Sequence, residues 1–220
     1  MVDFDGYISC TVFTPGCNFR CPFCHNAALV NREAQEIPES EVFDYLEKRK
    51  GLVDAVCITG GEPTLQPDLE DFIVRVRALG YKVKLDSNGT NPALLSRLIE
   101  RGLLDYVAMD IKSDFDSYEE VIAVPSSALL PKIRESVALL KASPIDFEFR
   151  TTAIAEYHSE KNYAAIAEIV RGGKRFYIQK FKDGENNLTQ GLLHELPKEE
   201  AEKFLAEVRK TVPVVGLRGY

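Results

Sequence analysis

The chain has 220 residues, of which 45% are hydrophobic and 28% charged, the make-up of a soluble globular protein large enough to bury a core without disulfide or metal staples. Its 27 Lys and Arg against 34 Asp and Glu leave a net charge of −7, which excludes broad, non-specific binding to nucleic acid or to a membrane surface. No apolar run approaches the about 18 residues of a membrane span, and the acidic start Met1-Val2-Asp3-Phe4-Asp5 does not read as a secretory signal, so the cytoplasm is the expected compartment.

In chain order, a β-rich run at 7–14 leads into Thr14-Pro15-Gly16, and a helical pattern follows at 39–50. A strand at 55–59 opens into Gly60-Gly61-Glu62-Pro63, followed by a helix at 68–79, a strand at 82–86 and a helix at 92–101. A strand at 106–111 precedes a polar, acidic stretch at 113–127, expected to be the longest mobile loop. Then come a helix at 129–141, a strand at 147–153, a helix at 160–171, a strand at 176–181 and a helix at 198–210. A short run at 212–217 adds an edge strand, which makes Arg218-Gly219-Tyr220 a structural end rather than part of the rim. Pro67, Pro92 and Pro197 stand near helix starts, and Gly80 and Gly102 just past helix ends, where each residue type costs least. Strands alternating with helices of 10–15 residues read as βαβ units. About six such units predict an α/β fold, a partial (β/α)6 TIM-like barrel with a parallel sheet, in one domain over residues 1–220; an open doubly wound sheet is the alternative. Either architecture gathers chemistry at the C-terminal ends of the strands.

Five cysteines cannot all pair, and three of them crowd into Cys17-Asn18-Phe19-Arg20-Cys21-Pro22-Phe23-Cys24. In a reducing compartment this pattern points to metal-held thiolates. Three local thiolates can hold three corners of an iron–sulfur cubane, whose usual complement is four. The fourth iron stays open to an exogenous chelator such as the amine and carboxylate of S-adenosylmethionine. A structural zinc site is the other reading, with His25, Cys10 or Cys57 as fourth ligand. Cys10 and Cys57, each alone in an apolar run, are otherwise read as small buried hydrophobes.

The segment Thr14-Pro15-Gly16-Cys17-Asn18-Phe19-Arg20-Cys21-Pro22-Phe23-Cys24-His25-Asn26 resembles the cluster loop of the radical S-adenosylmethionine superfamily. The Cys24-His25-Asn26 continuation resembles its glycyl-radical-enzyme activases. The whole chain resembles the activating proteins of anaerobic (class III) ribonucleotide reductase. The resemblance implies a [4Fe-4S] cluster on Cys17, Cys21 and Cys24 and bound S-adenosylmethionine. It also implies an oxidoreductase that reductively cleaves S-adenosylmethionine to a 5′-deoxyadenosyl radical and generates a glycyl radical on a partner enzyme. That partner would be anaerobic ribonucleotide reductase, with flavodoxin or ferredoxin as the one-electron donor.

It further implies the contacts. Gly60, Gly61 and Glu62 resemble the motif that receives the methionyl ammonium; as residues alone they make an ordinary βα turn. Asp86 and Ser87 close the third strand facing the methionyl end, and Asp110 and Lys112 close the fourth on one face, with Lys112 toward the methionyl carboxylate or ribose. Phe23 and His25 lie near the adenine and adenosyl group, and Arg150 points inward to the carboxylate. A monovalent cation beside that carboxylate would take oxygens from Asp86 and Asp110. Pyruvate formate-lyase activases carry a histidine at the end of the sixth strand; here Lys182 replaces it. His158 and His194 are read as surface residues. Two other readings remain at this stage. One is a superfamily member acting on a small molecule, like 7-carboxy-7-deazaguanine synthase; the other is an iron–sulfur electron carrier.

Overall fold

The computed structural model describes residues 3–220. Seven strands form one sheet in the sequential order β1 to β7. They are β1 (Ser9–Thr14), β2 (Ala55–Gly60), β3 (Lys82–Ser87), β4 (Tyr106–Asp110), β5 (Asp146–Ala153), β6 (Arg175–Lys180) and β7 (Val214–Arg218). Every neighbouring pair is parallel, so each connection is a crossover over one face. β1 and β7 do not pair, which leaves the barrel open along one side.

The principal crossover helices are α2 (Glu39–Lys48), α3 (Leu69–Ala78), α4 (Pro92–Glu100), α6 (Leu130–Ala142), α7 (Glu160–Val170) and α8 (Lys198–Arg209); two short ones, α1 (Ala27–Val30) and α5 (Tyr118–Ile122), lie in the connections. Pro92 occupies the first turn of α4 behind an Asn91 cap, and Ser159 with Asn162 forms a capping box on α7. No helix among the described residues is long and apolar enough to cross a membrane.

The strands obey a period of two, and the two faces differ in kind. Val56, Ile58, Val83, Leu85, Val107, Met109, Phe147, Phe149, Phe176 and Ile178 are buried beneath the helices. The alternate positions line the concave face with Cys57, Thr59, Lys84, Asp86, Asp110, Arg150, Thr152 and Gln179. A closed barrel fills its interior with branched apolar side chains. This half-open one keeps a polar cavity of about 480 Å³.

Two expectations change here. Residues 113–127 are not a loose loop: α5 lies within them, and Tyr118, Val121 and Ile122 are buried. Their acidic side chains are used locally, Asp114 accepting from the Asp116 and Ser117 N–H groups and Glu119 from the Ser126 N–H. The last strand is the second change. Because β7 runs parallel to β6, with Arg218 opposite Gln179, it carries Arg218 and Gly219 to the rim, where both line the cavity.

Candidate functional site

The cysteine loop leaves β1 and folds over the C-terminal ends of the strands. Alternate residues anchor it: Phe19, Cys21 and Phe23 are buried, Phe19 packing edge-on against Tyr118 and Phe23 against Tyr157. Its backbone is tied on both flanks, Arg20 N–H donating to Ile122 O at 2.9 Å, Thr189 N–H to Pro22 O at 2.8 Å and Leu188 N–H to Cys24 O at 3.1 Å. Asn18 donates to Thr90 and accepts from Asn88, and Asn26 donates to Gly60 O at 3.0 Å. Sequence reasoning passed over these asparagines, although a polar residue between or beside clustered cysteines was the available signal.

Cys17, Cys21 and Cys24 are free thiols lining one cavity. Among the described residues no three His, Cys, Asp or Glu side chains converge on a single ion. A mononuclear zinc site needs such convergence, whereas a cubane takes each thiolate on a different iron, and the donor set fits that group. Burial pushes the Cys21 thiol up to about 12, so filling the site must release protons. Cys57 is buried but also lines the cavity, its sulfur 3.8 Å from Lys84 Nζ and 3.9 Å from Asp86 Oδ1. It is therefore not purely a hydrophobe. Cys10 is half-buried, on the opposite side of β1.

The glycine motif shapes the cavity by close approach. Gly60 has φ +117°, and a Cβ on Gly61 would overlap the Gly16 carbonyl, one residue before Cys17. Glu62 N–H donates to that same carbonyl at 2.8 Å. The Glu62 carboxylate, 1% exposed, accepts from Thr64 N–H and Oγ1, Ser87 Oγ and Asn88 N–H. Burial raises its pKa against those hydrogen bonds. Glu62 and Ser87 therefore clamp the ends of β2 and β3 together. The carboxylate is thus spent on internal hydrogen bonds, and the neighbouring strand-end carbonyls of Thr59 and Gly60 accept from Thr14 Oγ1 and Asn26 Nδ2. Gly61→Ala is expected to cut the iron taken up on reconstitution by roughly half or more through displacement of the cysteine loop, as measured by iron assay; unchanged iron would show that the loop tolerates the shift.

Five charged side chains form a chain of four ion pairs across the floor. Lys84 pairs with Asp86 at 2.8 Å, Asp86 with Arg150 at 3.0 Å, Arg150 with Asp110 at 2.9 Å, and Asp110 with Lys112 at 2.9 Å. Burial opposes charge on Asp110, yet Arg150 and Lys112 hold its carboxyl down at about 2. Burial likewise disfavours the Lys112 ammonium, and Asp110 overrides it, raising the pKa. Asp110 and Lys112 thus remain ionised at working pH. Arg150 does point inward. It bridges the two carboxylates assigned to a monovalent cation, so both already have cationic partners. Lys84 was missed, though the Lys82-Val83-Lys84-Leu85-Asp86 alternation puts it on the Asp86 face.

Phe23 and His25 both line the cavity. Lys112 Nζ lies 5.9 Å from the Phe23 ring centroid, and His25 stands 5.7 Å from Phe181, with its pKa lowered by burial. Lys182 is not brought to the site. β6 ends at Lys180, Phe181 turns into the core and Lys182 is exposed; Gln179 and Lys180 take the inward places. His194 is exposed and pairs with Glu156, as expected of a surface residue. His158 is the reverse, 2% exposed and bonded to Lys112 O at 2.9 Å. Arg218 grips Glu148 with two nitrogens, at 2.6 and 2.9 Å.

A family model described as the Radical SAM superfamily matches residues 11–160. A Methanocaldococcus jannaschii protein, provisionally named a glycyl-radical enzyme activating enzyme, is 32% identical over 212 residues, covering 95% of this chain and 88% of that protein. A domain of pyruvate-formate lyase-activating enzyme from Bacteroides vulgatus superposes with a TM-score of 0.57 at 19% identity, over 73% of this chain and 98% of that one. Streptococcus suis SuiB bound to S-adenosylmethionine superposes with a TM-score of 0.68 at 14% identity, over 96% of this chain and 50% of that one. At these identities the two structures speak to the fold.

Proposed function

The chain belongs to the radical SAM superfamily, and on that premise we propose that it is a glycyl-radical-enzyme activase whose partner is anaerobic ribonucleotide reductase. The observation that carries the activase reading is the 32% identity to the Methanocaldococcus relative across nearly the whole of both chains; the choice of the reductase rests on the sequence resemblance alone. The unpaired edges of β1 and β7 are consistent with it, because the barrel does not close into a ring.

Cys17, Cys21 and Cys24 would hold a [4Fe-4S] cluster. When bound, the cluster and S-adenosylmethionine would supply the hard chemistry, the reductive cleavage of S-adenosylmethionine that removes a hydrogen atom from a glycine of the partner. The residues of this chain bind and orient. Fixed, alternating charges suit a zwitterion: the Lys112 ammonium would pair with a methionyl carboxylate, and the Gly60-Gly61-Glu62 turn would receive its ammonium. Phe23 and His25 offer ring faces to the adenosyl group. Burial of Phe19, Cys21 and Phe23 shields the protein side of the thiolates from water. The electron comes from a flavodoxin or ferredoxin.

The test combines reconstituted, reduced protein with S-adenosylmethionine and the anaerobic ribonucleotide reductase of the same organism, under strict anaerobiosis. A glycyl doublet in the electron paramagnetic resonance spectrum, lost when the reductase glycine is replaced by alanine, is the expected result. Formation of 5′-deoxyadenosine with no radical on the reductase would overturn this choice of partner.

A further inference from the structure

Lys112 stands one residue beyond Ile111, outside the regular part of β4, where a backbone is usually free to vary. Here it is not. The N–H of Lys112 donates to Tyr118 Oη at 3.3 Å, and its C=O accepts from His158 Nε2 at 2.9 Å. Those two groups belong to the two peptide planes that flank the Lys112 Cα. Holding both planes holds φ and ψ, and with them the direction of the Cα–Cβ bond.

The holders are themselves immobilised. Tyr118 is fully buried, its ring 6.4 Å from Phe19 and 5.9 Å from Phe115. His158 stacks beside Phe204, the rings 6.4 Å apart at 20°. Its tautomer follows from its neighbours: Nδ1 accepts from the Ile154 N–H at 3.1 Å, so the ring proton is on Nε2, where it meets the Lys112 carbonyl. Burial lowers its pKa and keeps the ring neutral. Two further contacts tie the same strand ends together. Thr151 Oγ1 donates to Ile111 O at 2.7 Å, and Asn162 donates to Asp114.

We infer that Tyr118 and His158 are positioning residues that aim the Lys112 ammonium into the cofactor cavity by gripping the peptide groups on either side of its Cα. A lysine stem has several rotatable bonds, and an anchored base limits where its ammonium can go. Asp110, two residues back on the same face, then fixes the head at 2.9 Å. The inference rests on the proposed role of Lys112 as a cofactor contact, and the experiment separates the two.

S-adenosylmethionine affinity is measured by equilibrium dialysis on anaerobically reconstituted protein, with iron content and circular dichroism as checks on cluster and fold. Lys112→Ala is expected to weaken binding about tenfold, and Tyr118→Phe and His158→Phe each about fivefold. His158→Gln, which can still donate to the carbonyl, should return to within about twofold of the native affinity. In the Lys112→Ala background, His158→Phe should add nothing. A full loss there would mean that His158 acts elsewhere and would overturn the inference, as would native affinity in both Tyr118→Phe and His158→Phe when Lys112→Ala binds weakly. Native affinity in Lys112→Ala would instead remove the role of Lys112 itself, and the inference with it. Should His158→Phe fail to fold, Tyr118→Phe, which loses only a hydroxyl, decides.

Discussion

Alanine at Cys17, Cys21 or Cys24 is expected to abolish the cluster outright, from about four irons per chain in the reconstituted native protein to a trace. On the proposed reading three thiolates are the whole protein contribution to the site, so losing one leaves two ligands for four irons. Cys57, the other thiol in the cavity, lies against Lys84 and Asp86 on the strand floor, away from the loop that carries the triplet. Cys57→Ala and Cys10→Ala are therefore expected to keep both iron and the visible absorption. The measurement is iron and sulfide content with the absorbance spectrum. Loss of iron in Cys57→Ala alone would make that residue a ligand and end the case for an open iron.

Replacing Arg150 by leucine is expected to be the most damaging change on the cavity floor. Among the described residues its guanidinium is the only group that pairs with both Asp86 and Asp110, and its side chain is 10% exposed. Removing one member of a buried charge network strands the others, at a cost of about 3–5 kcal/mol. Urea unfolding should show that loss, and S-adenosylmethionine binding should weaken with it as Asp110 turns fully onto Lys112. Arg150→Lys keeps the charge but cannot fork to two carboxylates, so it should recover only part of the stability. Native stability in Arg150→Leu would show instead that Lys84 and Lys112 suffice to balance the two carboxylates.

The amino-acid sequence by itself determined the seven strands, the six longer helices and their order, though not the short helices Ala27–Val30 and Tyr118–Ile122. Lys82–Ser87 announces itself through a period of two, Ala55–Gly60 through a short unbroken apolar run, and helices such as Lys198–Arg209 through a period near 3.6. Each signal lies within a few residues, so no knowledge of the fold is needed to read them. The cysteine spacing is local in the same way, because one loop supplies all three thiols. Strand-end position was enough to bring Gly60, Gly61, Asp86, Asp110 and Lys112 to a single rim, since every strand is parallel.

Tertiary structure alone decided what those side chains do to one another. Which residue Glu62 grips depends on how the ends of β2 and β3 meet, and its carboxylate became an internal clamp. Arg150 became a bridge between strands only because the concave faces of β3, β4 and β5 curve toward a common centre. Lys182 left the site through a single change of direction at Phe181, a one-residue matter that periodicity does not resolve. His158 carries no local mark that separates it from exposed His194; burial against Phe204 and the carbonyl of Lys112, 46 residues away, made the difference. The direction of β7 placed Arg218 and Gly219 at the rim, because a parallel last strand must end where the others end. Local patterns follow from the geometry of the backbone, whereas these pairings follow from which surfaces meet when the elements pack, and that is a property of the whole chain at once.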